Sequence, residues 1–165
     1  MDKEEIKKTV NLPRTDFPIK AGLTKLEPEI INLWNEIDLY KLIQMESKGK
    51  KKYILHDGPP YPNGDIHMGH ALNKILKDII VKYKSMQGFD APFIPGWDCH
   101  GLPIETQLLK ELKKSKEENK KNDIPWFRVK CEEYAREYVE KQKNQFISLG
   151  CRADWENHYL TLDRS

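Results

Sequence analysis

A chain of 165 residues, 33% charged and 38% hydrophobic, is long enough for about one domain with its own core and suits a helix-rich globular piece. A formal net charge of +2 supplies no global field toward nucleic acid or a membrane surface, and no apolar run approaches the roughly 20 residues of a membrane span. Three cysteines (Cys99, Cys131 and Cys151) form no Cys-x-x-Cys pair and the N-terminus lacks the apolar stretch of a secretory leader, so the expectation is a cytoplasmic chain that binds no metal through its own side chains.

Residues 1–26 read as extended, because Pro13 and Pro18 exclude a long helix. Pro28 sits where helices like to begin. Ile30, Trp34 and Ile37 then recur at i, i+4 and i+7, which predicts a helix from Pro28 to Met45. The basic run 48–52 is a connector, and Tyr53 to His56 reads as a buried strand. A turn rich in Gly, Pro and Asn follows.

The helix expected from Ala71 to Gln87 has the clearest pattern in the chain. Leu72, Ile75, Leu76, Ile79, Ile80, Tyr83 and Met86 form one apolar face, with Asn73, Lys74, Lys77, Asp78 and Lys82 on the others. Gly88 stops it as a C′ glycine does. A second short strand is expected over residues 91–94. Strand, crossover helix and strand make a βαβ unit with parallel strands, whose ligands bind beyond the carboxyl ends. A further helix spans Pro103 to Lys114 with Ile104, Leu108 and Leu112 inward. After a solvated stretch, Asp123 caps a long helix that carries Phe127, Cys131, Tyr134, Ala135, Tyr138, Val139 and Phe146 and ends near Gly150. The chain stops at Arg164-Ser165 with no element complete, which reads as a truncation.

The informative run is His56-Asp57-Gly58-Pro59-Pro60-Tyr61-Pro62-Asn63-Gly64-Asp65-Ile66-His67-Met68-Gly69-His70. It places His67 and His70 three residues apart in the first turn of a helix, where unpaired N–H groups and the helix dipole favour an anion. Alone, the pair leaves a surface or metal-binding reading open. With no Cys or third His nearby it makes a poor zinc site, although Asp57 or Asp65 could assist.

These residues, with Pro95-Gly96-Trp97-Asp98-Cys99-His100-Gly101-Leu102-Pro103-Ile104-Glu105 after them, resemble class I aminoacyl-tRNA synthetases. Within these the resemblance is to the isoleucine, valine and leucine subgroup, and most of all to its isoleucine-specific members. It extends from Leu12-Pro13 and Asp16-Phe17-Pro18 to Tyr159-Leu160-Thr161-Leu162, and it covers only the beginning of such an enzyme.

The resemblance implies an α/β fold: the first half of a doubly wound, Rossmann-like, parallel nucleotide-binding sheet, with an N-terminal helical extension. Residues 1–47 would form that extension and residues 48–165 the first half of the catalytic domain. It implies ATP-dependent activation of isoleucine to isoleucyl-adenylate and transfer to tRNA by the full-length parent, a monomer that uses no membrane.

His67 and His70 then act on the phosphates as catalytic residues. Pro60, Asn63, Gly64 and Gly69 join them in the ATP site, with Gly69 leaving room for adenine or ribose. Gly58, Pro59 and Asp98 line the amino-acid pocket, Asp98 pairing with the substrate ammonium. Mg2+ accompanies ATP on its phosphate oxygens. The second family signature, Lys-Met-Ser-Lys-Ser, is only faintly echoed by Lys113-Lys114-Ser115-Lys116, which reads as a solvated face. Editing and anticodon-binding regions are absent.

Three alternatives stay open: a valine or leucine enzyme; a chain that binds ATP or adenylate without turnover, or works only beside a separate chain carrying the missing half; and an inert fragment whose unfinished sheet leaves an exposed edge and aggregates. A thiol nucleophile built from Cys99 and His100 is disfavoured, since no third group orients the base.

Overall fold

The computed structural model describes residues 2–10 and 22–163. The proline-bearing segment with Pro13 and Pro18, and the Leu12-Pro13 and Asp16-Phe17-Pro18 part of the resemblance, lie outside them. Helices dominate: α1 (Lys3–Lys8), α2 (Leu23–Glu36), α3 (Leu39–Ser47), α4 (Met68–Met86), α5 (Leu102–Lys114) and α6 (Ile124–Ser148), with a 3-10 helix over Glu118–Asn122 before α6. Strands β1 (Gly96–Trp97) and β2 (Tyr159–Leu160) pair in parallel, Gly96 opposite Tyr159 and Trp97 opposite Leu160. Among the described residues this is a two-stranded sheet within an α/β fold.

The N-terminal third departs from expectation. Helix α1 occupies part of the stretch read as extended, and α2 begins five residues before Pro28, which sits inside it. The single helix expected to Met45 is broken at Asp38, whose φ of 47° is left-handed. Neither expected strand forms. Segments 53–56 and 91–94 are tied only at their beginnings, by a parallel bridge between Lys52 and Asp90 in which Tyr53 N–H donates to the Asp90 carbonyl at 2.8 Å. Pro92 and Pro95 have no N–H to extend that ladder, so regular pairing resumes only at Gly96. The parallel sense survives; the strands are elsewhere.

Glycine ends both long helices as expected. Gly88 (φ 89°) follows α4, and the next residue, Phe89, donates its N–H to the Lys84 carbonyl; Gly150 (φ 72°) follows α6, and Cys151 donates to the Phe146 carbonyl. Both are Schellman closures. Asp123 caps α6, its carboxylate accepting the Trp126 N–H at 3.2 Å.

One cluster joins Trp97, Cys99, Ile104, Leu108, Leu112, Tyr134, Ala135, Val139, Phe146 and Leu160, seating α5 and α6 against the strand pair. A smaller one joins Val81, Ala91, Phe93 and Ala153, with Tyr53 and Leu55 at its edge. Here α4 overturns its own periodicity. Leu72 (62% exposed), Ile79 (55%) and Met86 (80%) face outward with the rest of the apolar stripe, while Val81 (1%), Lys74 and Asp78 turn inward. The two polar side chains go inside because partners wait there. Asp78 accepts the Arg152 N–H at 2.7 Å and the Lys82 ammonium at 2.6 Å, and Lys74 meets Asp57.

Stability should follow the observed face. Val81→Ala is expected to lower the unfolding free energy by about 2 kcal/mol, and Ile79→Lys to change it by less than about 0.5 kcal/mol. Urea titrations of both variants check this; equal losses would put the apolar stripe back in the core.

Candidate nucleotide site

The turn rich in Gly and Pro hangs from α6. Gln142, fully buried, accepts the Trp97 indole N–H at 2.9 Å and donates to the carbonyls of Tyr61 (3.1 Å) and Gly64 (2.7 Å). One turn on, Gln145 accepts the Ile66 N–H at 3.0 Å and donates to Asp65 at 2.7 Å. Lys141 adds a 3.0 Å ion pair to Asp65 and, ahead of Gln145, holds that carboxyl below the usual carboxylate range. The Tyr134 hydroxyl reaches the Asn63 carbonyl at 3.4 Å. One helix face therefore fixes residues 61–66 and sets where α4 starts.

His67 is the N-cap of α4. Its Nδ1 accepts the N–H groups of Gly69 (3.0 Å) and His70 (3.4 Å), while His70 Nδ1 accepts the N–H of His67 (3.4 Å). This is a capping box built from two imidazoles in place of Ser and Glu. It also settles the tautomers. With both Nδ1 atoms accepting, the proton of each neutral ring sits on Nε2. The rings stack at 3.9 Å and 18°, a geometry that opposes charging both. Burial first, then His67 and Lys74, lowers the His70 pKa. The helix start thus presents two Nε2–H groups, while the backbone amides of His67, Gly69 and His70 are already taken by the two rings. A Cβ at Gly69 would come within 2.9 Å of His67 Cε1, so glycine is what lets the ring fold back over the helix end.

A pocket of about 280 Å3 opens here, lined by Gly58, Pro60, His67, Gly69, His70, Asn73 and Lys74. Five residues singled out by the sequence meet in it. Pro59 lies between two of them. Asn63 and Gly64 do not line it; their carbonyls are turned to Tyr134 and Gln142.

Asp98 reaches the same turn by its backbone, its N–H donating to the Pro60 carbonyl at 2.9 Å. Thr161, one residue beyond β2, orients its carboxylate. The Thr161 hydroxyl donates to Asp98 Oδ1 at 3.3 Å and accepts the Cys99 N–H at 2.9 Å, and His100 Nε2 lies 3.1 Å from the Thr161 carbonyl. Asp98 is thus tied to Pro60 by its backbone but does not line the pocket, while Cys99 is buried with its thiol pushed up to about 11 by desolvation first and Asp98 next. That is an inert sulfur, not a nucleophile.

Sequence reasoning missed Gln142, Gln145 and Thr161, which bear no charge and belong to no recognisable spacing. Asp57 was legible only as a possible aid to a metal site and Lys74 only as part of the polar side of α4, so their pairing was missed. A larger cavity of about 810 Å3, between α2, α3 and residues 150–157, holds none of the motif residues. Among the described residues no group of three or more His, Cys, Asp or Glu is arranged to hold a metal, and no helix is long and apolar enough to cross a membrane.

Residues 29–165 match the family described as tRNA synthetases class I (I, L, M and V). An isoleucine–tRNA ligase of Persephonella marina is 61% identical over 158 residues, 96% of this chain and 17% of the relative. One from Carboxydothermus hydrogenoformans is 58% identical over 155 residues, 94% of this chain and 16% of the relative. The chain thus spans about a sixth of the length of these relatives. Among solved structures, a LeuRS of Agrobacterium radiobacter, in a ternary complex with tRNA and LeuAMS, superposes with a TM-score of 0.66 at 20% identity, over 87% of this chain and 16% of that one.

Proposed function

Since this chain belongs to the class I tRNA synthetases of the I, L, M and V group, we propose that it carries the part of an isoleucine–tRNA ligase active site that binds ATP and isoleucine. The observation that carries the reading is the double-histidine cap of α4, two neutral Nε2–H donors at a helix N-terminus beside the Gly58–Pro60 turn and Asp98. Residues 1–47 are the helical extension and residues 48–165 the beginning of the catalytic domain. The β1–β2 pair and the Lys52–Asp90 bridge are its share of a parallel nucleotide-binding sheet.

In the reaction an isoleucine carboxylate oxygen bonds to the α-phosphorus of ATP and the bond to pyrophosphate breaks, so no enzyme nucleophile is needed. His67 and His70 donate from Nε2 to phosphoryl oxygens as charge grows on them. The Asp98 carboxylate, held by Thr161, anchors the substrate ammonium next to the wall made by Gly58 and Pro59. Pro60 and Gly69 border the nucleotide; Asn63 and Gly64 act through the shape of the turn. Mg2+ arrives on the triphosphate, since the residues present supply cations and N–H donors in place of a carboxylate cage. Transfer to tRNA belongs to the longer protein, which we take to act as a cytoplasmic monomer.

The test is isoleucine-dependent ATP–pyrophosphate exchange by the purified chain, with valine and leucine as competitors. Exchange strongest with isoleucine is expected. Preference for another amino acid would reassign the substrate, and saturable ATP binding without exchange would leave a nucleotide-binding segment.

A further inference from the structure

Behind the two histidines lies a charged cluster that helps to orient α4 but that the proposed chemistry does not use. Asp57 is buried and sits one residue before Gly58. Its two carboxylate oxygens accept from different lysines of α4, Lys74 on one and Lys77 on the other. Lys74 is 5% exposed, and its ammonium lies 5.6 Å from the ring centroids of both Phe93 and Phe146. One carboxylate faces two ammonium groups, so the cluster carries an excess positive charge in surroundings that screen it poorly. Lys74, the buried lysine, is held by Asp57 and by the faces of Phe93 and Phe146, whereas Lys77 shares the same carboxylate from a partly exposed position. Lys74, unlike Lys77, lines the 280 Å3 pocket beside His67 and His70. Among the described residues Lys74 is therefore the one lysine in the lining of the cavity beside the two histidines.

We infer that Lys74 is a phosphate-binding residue of this pocket, supplying the positive charge that makes it prefer a nucleotide's phosphates to the nucleoside alone, while Lys77 serves only to hold Asp57. The inference rests on the nucleotide reading and deepens it. His67 and His70 contribute directed but neutral donors; Lys74 contributes the charge. Desolvation, the main influence on the Lys74 amine, lowers its pKa against the pull of Asp57, and an entering phosphate favours the charged form.

The two lysines make their own control. Lys74→Met and Lys77→Met each remove one charge and each leave Asp57 with one partner. Equilibrium dialysis of the full chain against ATP and against adenosine reads the difference. Lys74→Met is expected to weaken ATP binding about tenfold and adenosine binding less than about twofold, with Lys77→Met changing neither by more than about threefold. Lys74→Arg should restore ATP binding. Should Lys74→Met fail to fold, Lys74→Gln, whose amide still donates to Asp57, gives the same comparison. Equal effects of the two lysines, or parallel losses of ATP and adenosine, would overturn the inference and leave the cluster a structural brace. Absence of saturable ATP binding by the unaltered chain would overturn the nucleotide reading and this inference together.

Discussion

Replacing His67 with Ala, Asn or Gln should cost isoleucine-dependent ATP–pyrophosphate exchange about 10²–10³-fold, the usual loss when one positioned donor is removed from a developing phosphoryl charge. The variants should separate in stability. His67→Ala also removes the N-cap of α4 and should cost about 1 kcal/mol of unfolding free energy. His67→Asn returns a good cap, with its side-chain oxygen accepting the Gly69 and His70 N–H groups, yet its amide NH2 sits on a shorter side chain and stops short of the place that Nε2–H reaches. A well-folded but inactive Asn variant is the signature of a ring that caps with one nitrogen and donates with the other. His70→Ala should weaken exchange far more than it weakens isoleucine binding. Equal losses in both would remove the transition-state role. Activity returning in His67→Asn would show that the cap alone was needed.

Gln142→Met is expected to lower the unfolding free energy by about 2–3 kcal/mol, since it strands the buried Trp97 N–H and the part-buried carbonyls of Tyr61 and Gly64 at about 1 kcal/mol each. Methionine nearly matches the volume, so packing should change little. In a domain whose whole stability is of the order of 5–15 kcal/mol, this is a large share for a residue with no charge and no motif. Gln145→Met, on the more exposed next turn, should cost less than about 1.5 kcal/mol. Thermal and urea unfolding of the two variants read the difference. If Gln142→Met were no worse than Gln145→Met, the loop would be held by its own prolines instead of by α6.

Much of this was legible in the sequence, for identifiable reasons. The C-terminal ends of α4 and α6 and the start of α6 follow from local signals: Gly88 and Gly150 as stops, Asp123 as cap. The inward faces of α5 and α6 follow from apolar spacing, because each buries the stripe it carries. The same rule failed on α4, since periodicity reports which face is apolar and not what is packed on it. There Asp57, Asp78 and Arg152 decide the orientation through partners many residues away. The strands failed for a related reason: Tyr53–His56 has the composition of a strand, but pairing needs a neighbour with free N–H groups, and prolines interrupt the nearest one. Among the site residues, Gly58, Pro60, His67, Gly69 and His70 converge, whereas Asn63 and Gly64 are placed by Tyr134 and Gln142, 71 and 78 residues further along.

The pairing of β1 with β2 has a consequence for the order of events on the ribosome. The cap of α4 is a contact within three residues and can form as soon as that stretch leaves the exit tunnel. The Asp98 carboxylate takes its orientation from Thr161, 63 residues later. At synthesis rates of about 5–20 residues per second, that separation is a delay of several seconds. During it the nascent chain already presents the capped end of α4, while the Asp98 carboxylate, the proposed anchor for the amino acid, is still unset.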